Sequence, residues 1–282
     1  MTKYSYKSLE DYLQSHRLDV DGSLDDGWGD PFPVKGRMID AAILFADMGE
    51  FSSRSNELSP IETLILAQNF FAWICAEGVK KGHGIIDKYI GDEVMVVFSK
   101  DFGSEDPLAD AVDAARWMVE NDKLGFSPHI GIAVGEVVVG YVGTPLKYNC
   151  SVYGNVVTIA QRCCQIKPSN GPIILPAETW GDRKLENVLT KRKMQQSNGT
   201  EIELDVPWKI LSPRTVTLKG GAQLEVVEIE KLARKTTQNG VHWQPQTVEQ
   251  RAKEGFEALK QEGSYKPLRY PHEAMPKAYN EY

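Results

Sequence analysis

The chain is poor in the residues that would tie it to an oxidising compartment, a zinc site or a membrane. Of its 282 residues only 4 are cysteines and 5 are histidines. Cys75, Cys150, Cys163 and Cys164 show no C-x-x-C spacing, and the last two are neighbours, which rarely pair with each other. Reduced thiols in a cytoplasmic protein are therefore expected. His16, His83, His129, His242 and His272 are scattered without H-x-x-x-H or other zinc spacing, which argues against a structural zinc. Long apolar runs are missing too. The stretches 41–46, 94–98 and 137–142 are strand-length, far short of the ~20 residues a spanning helix needs. The N-terminal stretch has no apolar signal core. Basic residues are the minority, 32 Lys+Arg against 39 Asp+Glu, for a net charge of −7. That balance disfavours nucleic acid and membrane surfaces as partners. A small phosphorylated substrate stays compatible with it, because a metal ion can mask the repulsion. No G-x-G-x-x-G follows the first strand and no G-x-x-x-x-G-K-[ST] occurs, so Rossmann and P-loop readings fall away.

What is present is ordinary globular composition, 41% hydrophobic and 25% charged, with length for one large domain plus extensions or two small domains. Residues 1–35 are polar and acidic and read as an N-terminal extension whose few aromatics can pack on a neighbouring surface, such as a partner subunit. A domain is expected over 36–232. It opens on the run I-D-A-A-I-L-F-A-D, a central strand buried on both faces that closes on Asp47. Ser59-Pro60-Ile61-Glu62 then predicts a capped helix running to about Lys81, with Leu64, Ala67, Phe71 and Ile74 on one face. Strands at 85–90 and 93–98 flank a two-residue turn, Gly91-Asp92. A helix follows Asp106-Pro107. Stretches 129–134 and 137–142 read as a second hairpin around Gly135-Glu136, and a helix follows Gly154. A short strand at 172–175 and a closing hairpin around Lys219-Gly220-Gly221 complete the domain. Residues 233–282 form a C-terminal extension with one helix at 247–261. This order predicts an α/β (α+β) sandwich: a ferredoxin-like or palm-type mixed sheet, largely antiparallel, with helices packed mainly on one face.

Two carboxylates stand where burial is expensive. Asp47 ends the apolar run and Asp92 tips the hairpin between two apolar strands. Taken alone, Asp47 can cap the next loop and Asp92 can simply make the turn. Together they offer oxygen ligands to a hard cation. The loop after Asp47 (Met48, Gly49, Glu50, Phe51, Ser52) has backbone N–H groups able to cradle phosphate. Lys88, Arg162 and Lys219 stand near strand ends or on facing elements. Each alone reads as a solvated charge; the set suits phosphoryl chemistry on a nucleoside triphosphate.

The stretches I-L-F-A-D-M-G-E-F-S, K-Y-I-G-D-E-V-M-V-V-F, H-I-G-I-A-V-G-E-V-V-V-G-Y-V-G, Y-G-N-V-V-T-I-A-Q-R and V-T-L-K-G resemble, in order, the motifs of the class III nucleotidyl cyclases. The resemblance covers about 37–230. It implies the class III cyclase fold and formation of a 3′,5′-cyclic nucleotide and pyrophosphate from a triphosphate, at sites shared across a homodimer. It further implies two Mg²⁺ or Mn²⁺ ions per active site on Asp47 and Asp92, with the Met48 carbonyl as an extra ligand. Gly49, Phe51, Ser52 and Lys219 would then take the triphosphate, Arg162 the charge at the α-phosphate, and Lys88 and Ser151 the base.

Two positions depart from the family. Thr158 replaces the asparagine that orients the ribose, and Glu50 puts an acid beside the phosphate loop. Guanylate cyclases typically carry Glu and Cys at the base positions, so Lys88 and Ser151 disfavour GTP. The K-Y-N-C-S-V-Y-G stretch and the missing asparagine are similar to bacterial Pycsar pyrimidine cyclases, which implies a second messenger of phage defence read by a cyclic-nucleotide-sensing effector. Within that group UTP is favoured over CTP, since Lys88 and Ser151 can both donate to carbonyl oxygens. Adenylate cyclase is the alternative, and a catalytically weak nucleotide-binding or dimerisation module a further one. A GGDEF-type dinucleotide synthase fits less well, because the turn I-G-D-E-V lacks that motif's first Gly and its Phe.

Overall fold

The computed structural model describes residues 6–24, 32–120, 122, 125–144, 147–180, 189, 191–195, 201–205, 208–218, 220–232 and 247–262. Its centre is β2 (Phe32–Asp47), which follows α1 (Leu9–Gln14) and β1 (Val20–Leu24). After β2 come α2 (Phe51–Ser55), α3 (Pro60–Phe70), a π-helical turn (Phe71–Cys75), α4 (Ala76–Lys81), β3 (Ile85–Ile90), β4 (Glu93–Ser99) and α5 (Pro107–Glu120). β5 (His129–Thr144), β6 (Lys147–Tyr153), α6 (Asn155–Cys164), β7 (Ile173–Pro176) and α7 (Ala177–Trp180) follow. The described chain closes with β8 (Lys191–Gln195), β9 (Glu201–Asp205), β10 (Trp208–Ile210), β11 (Arg214–Thr217), β12 (Gln223–Lys231) and α8 (Val248–Glu262). The main sheet runs β10-β12-β7-β5-β2-β4-β3, with β1 on β2, β6 on β5 and β11 on β12. Only β5–β7 is parallel among its pairs; β8 and β9 form a separate hairpin.

Strand β2 has an apolar run because both of its faces are covered. Ala42, Leu44 and Ala46 face a core built with α3, α4, α5 and α8, whereas Ala41, Ile43 and Phe45 face α1 and α6. Most of the helices lie on one face, as expected, with α1 and α6 covering the other.

Ser59 and Glu62 close the expected capping box: Glu62 Oε2 accepts from the Ser59 N–H at 2.7 Å, and Pro60 stands at N1. The buried side of this helix differs from the expected one. Leu64 is 66% exposed, and the seam runs through Leu66, Phe70 and Ile74. Leu64 lies about 200° around the helix from Leu66, on the solvent side.

The expected hairpin around Gly135-Glu136 is instead one uninterrupted strand, β5. Gly135 and Glu136 sit opposite Ala41 and Asp40 with no break in register. β4 pairs with β2 only from Ala41 onward, so β5 is the strand that satisfies the backbone of 36–40 on its side of β2.

Parts of both extensions are built into this fold. Helix α1, capped by Ser8, buries Leu9, Tyr12 and Leu13, and Tyr12 donates to Asp101 at 2.8 Å while accepting from Arg37 Nε at 2.7 Å. Helix α8 buries Val248 and Ala252 in the core, and Glu249 pairs with Arg54 of α2 at 3.4 Å.

Near the other end of the sheet, buried Glu228 of β12 accepts backbone N–H bonds from Ser169, Asn170 and Gly171 and a 2.7 Å bond from Arg214 Nε. Burial alone would push this carboxyl up; the N–H donors outweigh it and hold the pKa at about 2.

Candidate active site

Strand register brings the two aspartates together. Asp47 is the last residue of β2 and lies opposite Glu93, the first residue of β4, so the Gly91-Asp92 turn meets the end of β2. Gly91 takes a left-handed φ of 66°, the conformation this tight turn needs and glycine tolerates. The Asp47 and Asp92 carboxyls come close enough to influence each other, with the Met48 backbone amide beside both. Burial pushes both carboxyls up, and Asp47 helps carry Asp92 to about 7. Two carboxylates raised in this way favour a retained proton or a bound cation over a pair of bare charges. This all-oxygen donor set fits a hard divalent ion, with Asp47, Asp92 and the Met48 carbonyl as the groups that would hold it.

The surroundings hold the pair in place. Glu93 is buried and accepts from Gln161 Nε2 at 3.1 Å, which ties α6 to the carboxylate end of the sheet. Burial raises the Glu93 carboxyl and the Gln161 bond opposes it. His129 faces Asp47 from the other side, and burial keeps its imidazole below the usual range. Among the described residues no group of three or more His, Cys, Asp or Glu converges on a metal position. All four cysteines are unbridged, and burial raises their thiol pKa values.

The loop beyond Asp47 is partly committed. The Gly49 N–H donates to the Phe126 carbonyl at 3.1 Å, and a Cβ at this position would stand 2.6 Å from the Ser127 carbonyl. Gly49 thus shapes the loop with its N–H already spent. The Phe51 and Ser52 N–H groups open α2 and have no acceptor among the described residues. Glu50 precedes them with a left-handed φ of 60° and an exposed side chain.

Lys88 and Ser151 come together around a residue the sequence reading passed over. Ser151 Oγ donates to Asp87 Oδ2 at 2.6 Å, and Lys88 Nζ pairs with the same oxygen at 3.2 Å. The β3 register jumps from Ile86↔Val96 to Lys88↔Met95, so Asp87 is the extra residue of a β-bulge. The bulge takes Asp87 out of simple alternation, and its Oδ2 meets both Ser151 and Lys88. Carboxylate–lysine adjacency in I-I-D-K-Y-I was the available signal.

Helix α6 carries Thr158 and Arg162. It lies directly on β5 at Gly131, where an added Cβ would collide with the Ala160 carbonyl oxygen and the Cys164 nitrogen. Thr158 is exposed and Arg162 half-buried, and neither bonds any described residue through its side chain. Lys219 lies outside the described residues, between Leu218 and Gly220. The structure thus joins Asp47 with Asp92 and Lys88 with Ser151, two clusters carried on the same β3–β4 hairpin. Lys88 lies opposite Met95, whose other partner Phe45 is two residues from Asp47, and it precedes Asp92 by four residues on the same hairpin.

Residues 34–203 match the family described as the adenylate and guanylate cyclase catalytic domain, more than half of the chain, and the chain belongs to that family. An adenylate cyclase of Anabaena cylindrica is 32% identical over 149 residues, 49% of this chain and 29% of that protein. An uncharacterised protein of Mycobacterium tuberculosis is 29% identical over 133 residues, 46% of this chain and 25% of that protein. The chain thus spans about a quarter to a third of the length of these relatives. Among solved structures, the adenylyl cyclase CyaB from P. aeruginosa matches with a TM-score of 0.54 and 19% identity, over 71% of this chain and 97% of that one. A guanylyl cyclase matches at 0.52 and 21% identity, over 72% and 97%. The fold is that of class III cyclases: mixed α+β with a largely antiparallel sheet. Adenylyl and guanylyl cyclases both share it, so the fold does not choose the base.

Among the described residues no helix is long and apolar enough to cross a membrane.

Proposed function

We propose that the chain cyclises a nucleoside triphosphate to its 3′,5′-cyclic nucleotide. The ribose 3′-oxygen bonds to the α-phosphorus, the bond to pyrophosphate breaks, and the hydroxyl proton is lost. The observation that carries this reading is the Asp47–Asp92 pair, two converging carboxylates in a chain of the cyclase family. Bound Mg²⁺ or Mn²⁺, two per site by the family resemblance, would supply charge neutralisation and a more acidic 3′-hydroxyl. Asp47 and Asp92 would hold the ions together with the Met48 carbonyl. The open N–H groups of Phe51 and Ser52 orient the triphosphate, and Lys219 adds a positive charge. Arg162 stabilises charge at the α-phosphate and Thr158 positions the ribose.

Arg162 and Thr158 act in a second copy's site, and the working unit is a homodimer. Support comes from their side chains, which bond no described residue.

A pyrimidine triphosphate is the favoured substrate, supported by the resemblance of the 147–154 stretch to bacterial pyrimidine cyclases of phage defence. On the same resemblance the product is a messenger for a cyclic-nucleotide-sensing effector in the cytoplasm. ATP is the second reading, favoured by the similarity to the Anabaena adenylate cyclase. The test is incubation with ATP, GTP, CTP and UTP together in Mn²⁺, with products identified by mass. A cyclic mononucleotide that disappears in Asp92→Ala is expected. Release of no cyclic mononucleotide, or of a dinucleotide, would overturn the reading.

A further inference from the structure

We infer that Arg54 is a positioning residue for the triphosphate-binding loop, and that helix α8, which lies beyond the family match, completes the support of that loop through Glu249. The inference rests on the reading of residues 48–52 as that loop.

The loop leaves Asp47 and is fixed at two points. Near its start the Gly49 N–H donates to the Phe126 carbonyl at 3.1 Å. Beyond its end Arg54 Nη2 donates to the adjacent Gly125 carbonyl at 2.7 Å. Both acceptors belong to one turn. Asp122 takes the N–H groups of Gly125, Phe126 and Ser127 at 2.9, 2.8 and 2.7 Å, and Phe126 is fully buried. Residues 50–53 are thus slung between neighbouring carbonyls, and Glu50 takes its left-handed φ of 60° within this span.

Helix α8 closes the far side of Arg54. Its Val248 and Ala252 are buried in the core against which Phe51 packs. Glu249, between them in sequence, places Oε1 3.4 Å from Arg54 Nη1. The Arg54 and Glu249 side chains are only 16% and 24% exposed, so water competes for the pair less than at an open surface. One arm of the guanidinium fork is therefore held by the Gly125 carbonyl and the other by Glu249. Turning toward a phosphate would break both contacts. Arg54 acts by holding the loop and not by touching the triphosphate. The family match ends at residue 203 and α8 starts at Val248, so this support comes from the C-terminal extension.

Holding and simple attraction predict opposite signs. If the charge of Arg54 drew in the triphosphate through its field, replacing Glu249 by a cation would strengthen binding. If Arg54 holds the loop, the same change weakens binding, because it removes the partner that aims the guanidinium at Gly125 and sets a like charge beside it.

The test uses the full chain and its Glu249→Lys, Glu249→Gln and Arg54→Ala variants. It measures equilibrium binding of inorganic tripolyphosphate with Mn²⁺, binding of Mn²⁺ alone, and KM and kcat for whichever nucleotide is turned over. Glu249→Lys is expected to bind tripolyphosphate about fivefold more weakly, the scale of one partly shielded ion pair. Glu249→Gln keeps an acceptor oxygen and is expected to stay within about twofold of the parent. Arg54→Ala also loses a charge-assisted hydrogen bond, and a fall of at least about tenfold is expected, carried by KM more than by kcat. Binding of Mn²⁺ alone should change by less than about twofold, since Asp47 and Asp92 are unaltered. Should Arg54→Ala fail to fold, Glu249→Lys, at the more exposed partner, reads the same sign.

Tripolyphosphate bound by Glu249→Lys as tightly as by the parent, or more tightly, overturns the inference. So does a parent that binds no tripolyphosphate, or an equal fall in Mn²⁺ binding, which reports general loosening. Weakened tripolyphosphate binding in Glu249→Lys, with a parent that cyclises no nucleotide, refutes the cyclase reading and supports this one. Cyclisation by a parent whose Glu249→Lys variant binds unchanged refutes this one alone.

Discussion

Replacing Asp92 by asparagine separates what the carboxylate pair costs the fold from what it does for chemistry. The Asp92 carboxyl rises from an ordinary 3.8 to about 7, through burial first and then through Asp47. At 1.36 kcal/mol per pH unit that bounds the penalty at about 4 kcal/mol. The carboxyl keeps part of its contact with water, and screening brings the figure to about 1–2 kcal/mol. The sign follows from linkage: the folded chain binds this proton more tightly than the unfolded chain. The penalty is absent below about pH 3.8, grows as pH rises, and is complete above about pH 7. Asparagine is uncharged and can donate to Asp47. In EDTA at pH 8, Asp92→Asn is therefore expected to be more stable than the parent by about 1–2 kcal/mol, or roughly 2–8 °C in Tm for a chain of this size. At pH 4 the gain should fall to less than half. Adding Mg²⁺ should raise the parent's Tm and leave the variant nearly unmoved, and cyclisation should fall by at least about 10²-fold. Thermal unfolding at both pH values, with and without the ion, reads all of this. A variant less stable than the parent at pH 8 in EDTA, or one that Mg²⁺ stabilises equally, would refute the pairing argument.

Three further outcomes follow from the same geometry. Gly131→Ala would press a Cβ into the backbone of α6; stability is expected to drop by about 1–3 kcal/mol, and kcat/KM by at least about tenfold because Thr158 and Arg162 move with the helix. Glu228→Ala strands Arg214 and three N–H groups, at about 3–5 kcal/mol in urea unfolding. The stability this depressed carboxyl gives is complete above about pH 4.5 and lost as pH falls toward 2, so the gap between parent and variant should narrow in acid. Mixing Asp47→Ala with Arg162→Ala subunits should restore activity through one intact site per heterodimer; subunits that exchange without recovery would place the whole site within one chain.

Local signals were legible where they act over a few residues. Ser59, Pro60 and Glu62 announce their helix, and Gly91-Asp92 its turn, because capping and turn geometry depend on near neighbours. Asp47 was readable as a carboxylate at the end of a doubly buried strand. What escaped depends on partners far along the chain. Gly135-Glu136 carries a turn's composition, yet pairing with residues 40 and 41 keeps it extended. Asp87 escaped because a bulge defeats the two-residue alternation from which facing is read. Leu64 belongs to an apolar pattern with more candidates than the buried seam has places. Helix α1 is only six residues long, although Ser8 before Leu9-Glu10-Asp11 marks its start.

The unbroken β5 strand limits how this gene can vary. Its first residue stands beside Asp47, and Gly140, eleven positions later, stands beside Ser151. Single-letter changes along it alter one side chain at a time. One codon gained or lost within it would turn every later side chain to the opposite face and slide one end of the catalytic apparatus against the other. Over this stretch selection acts on the count of residues as much as on their identity.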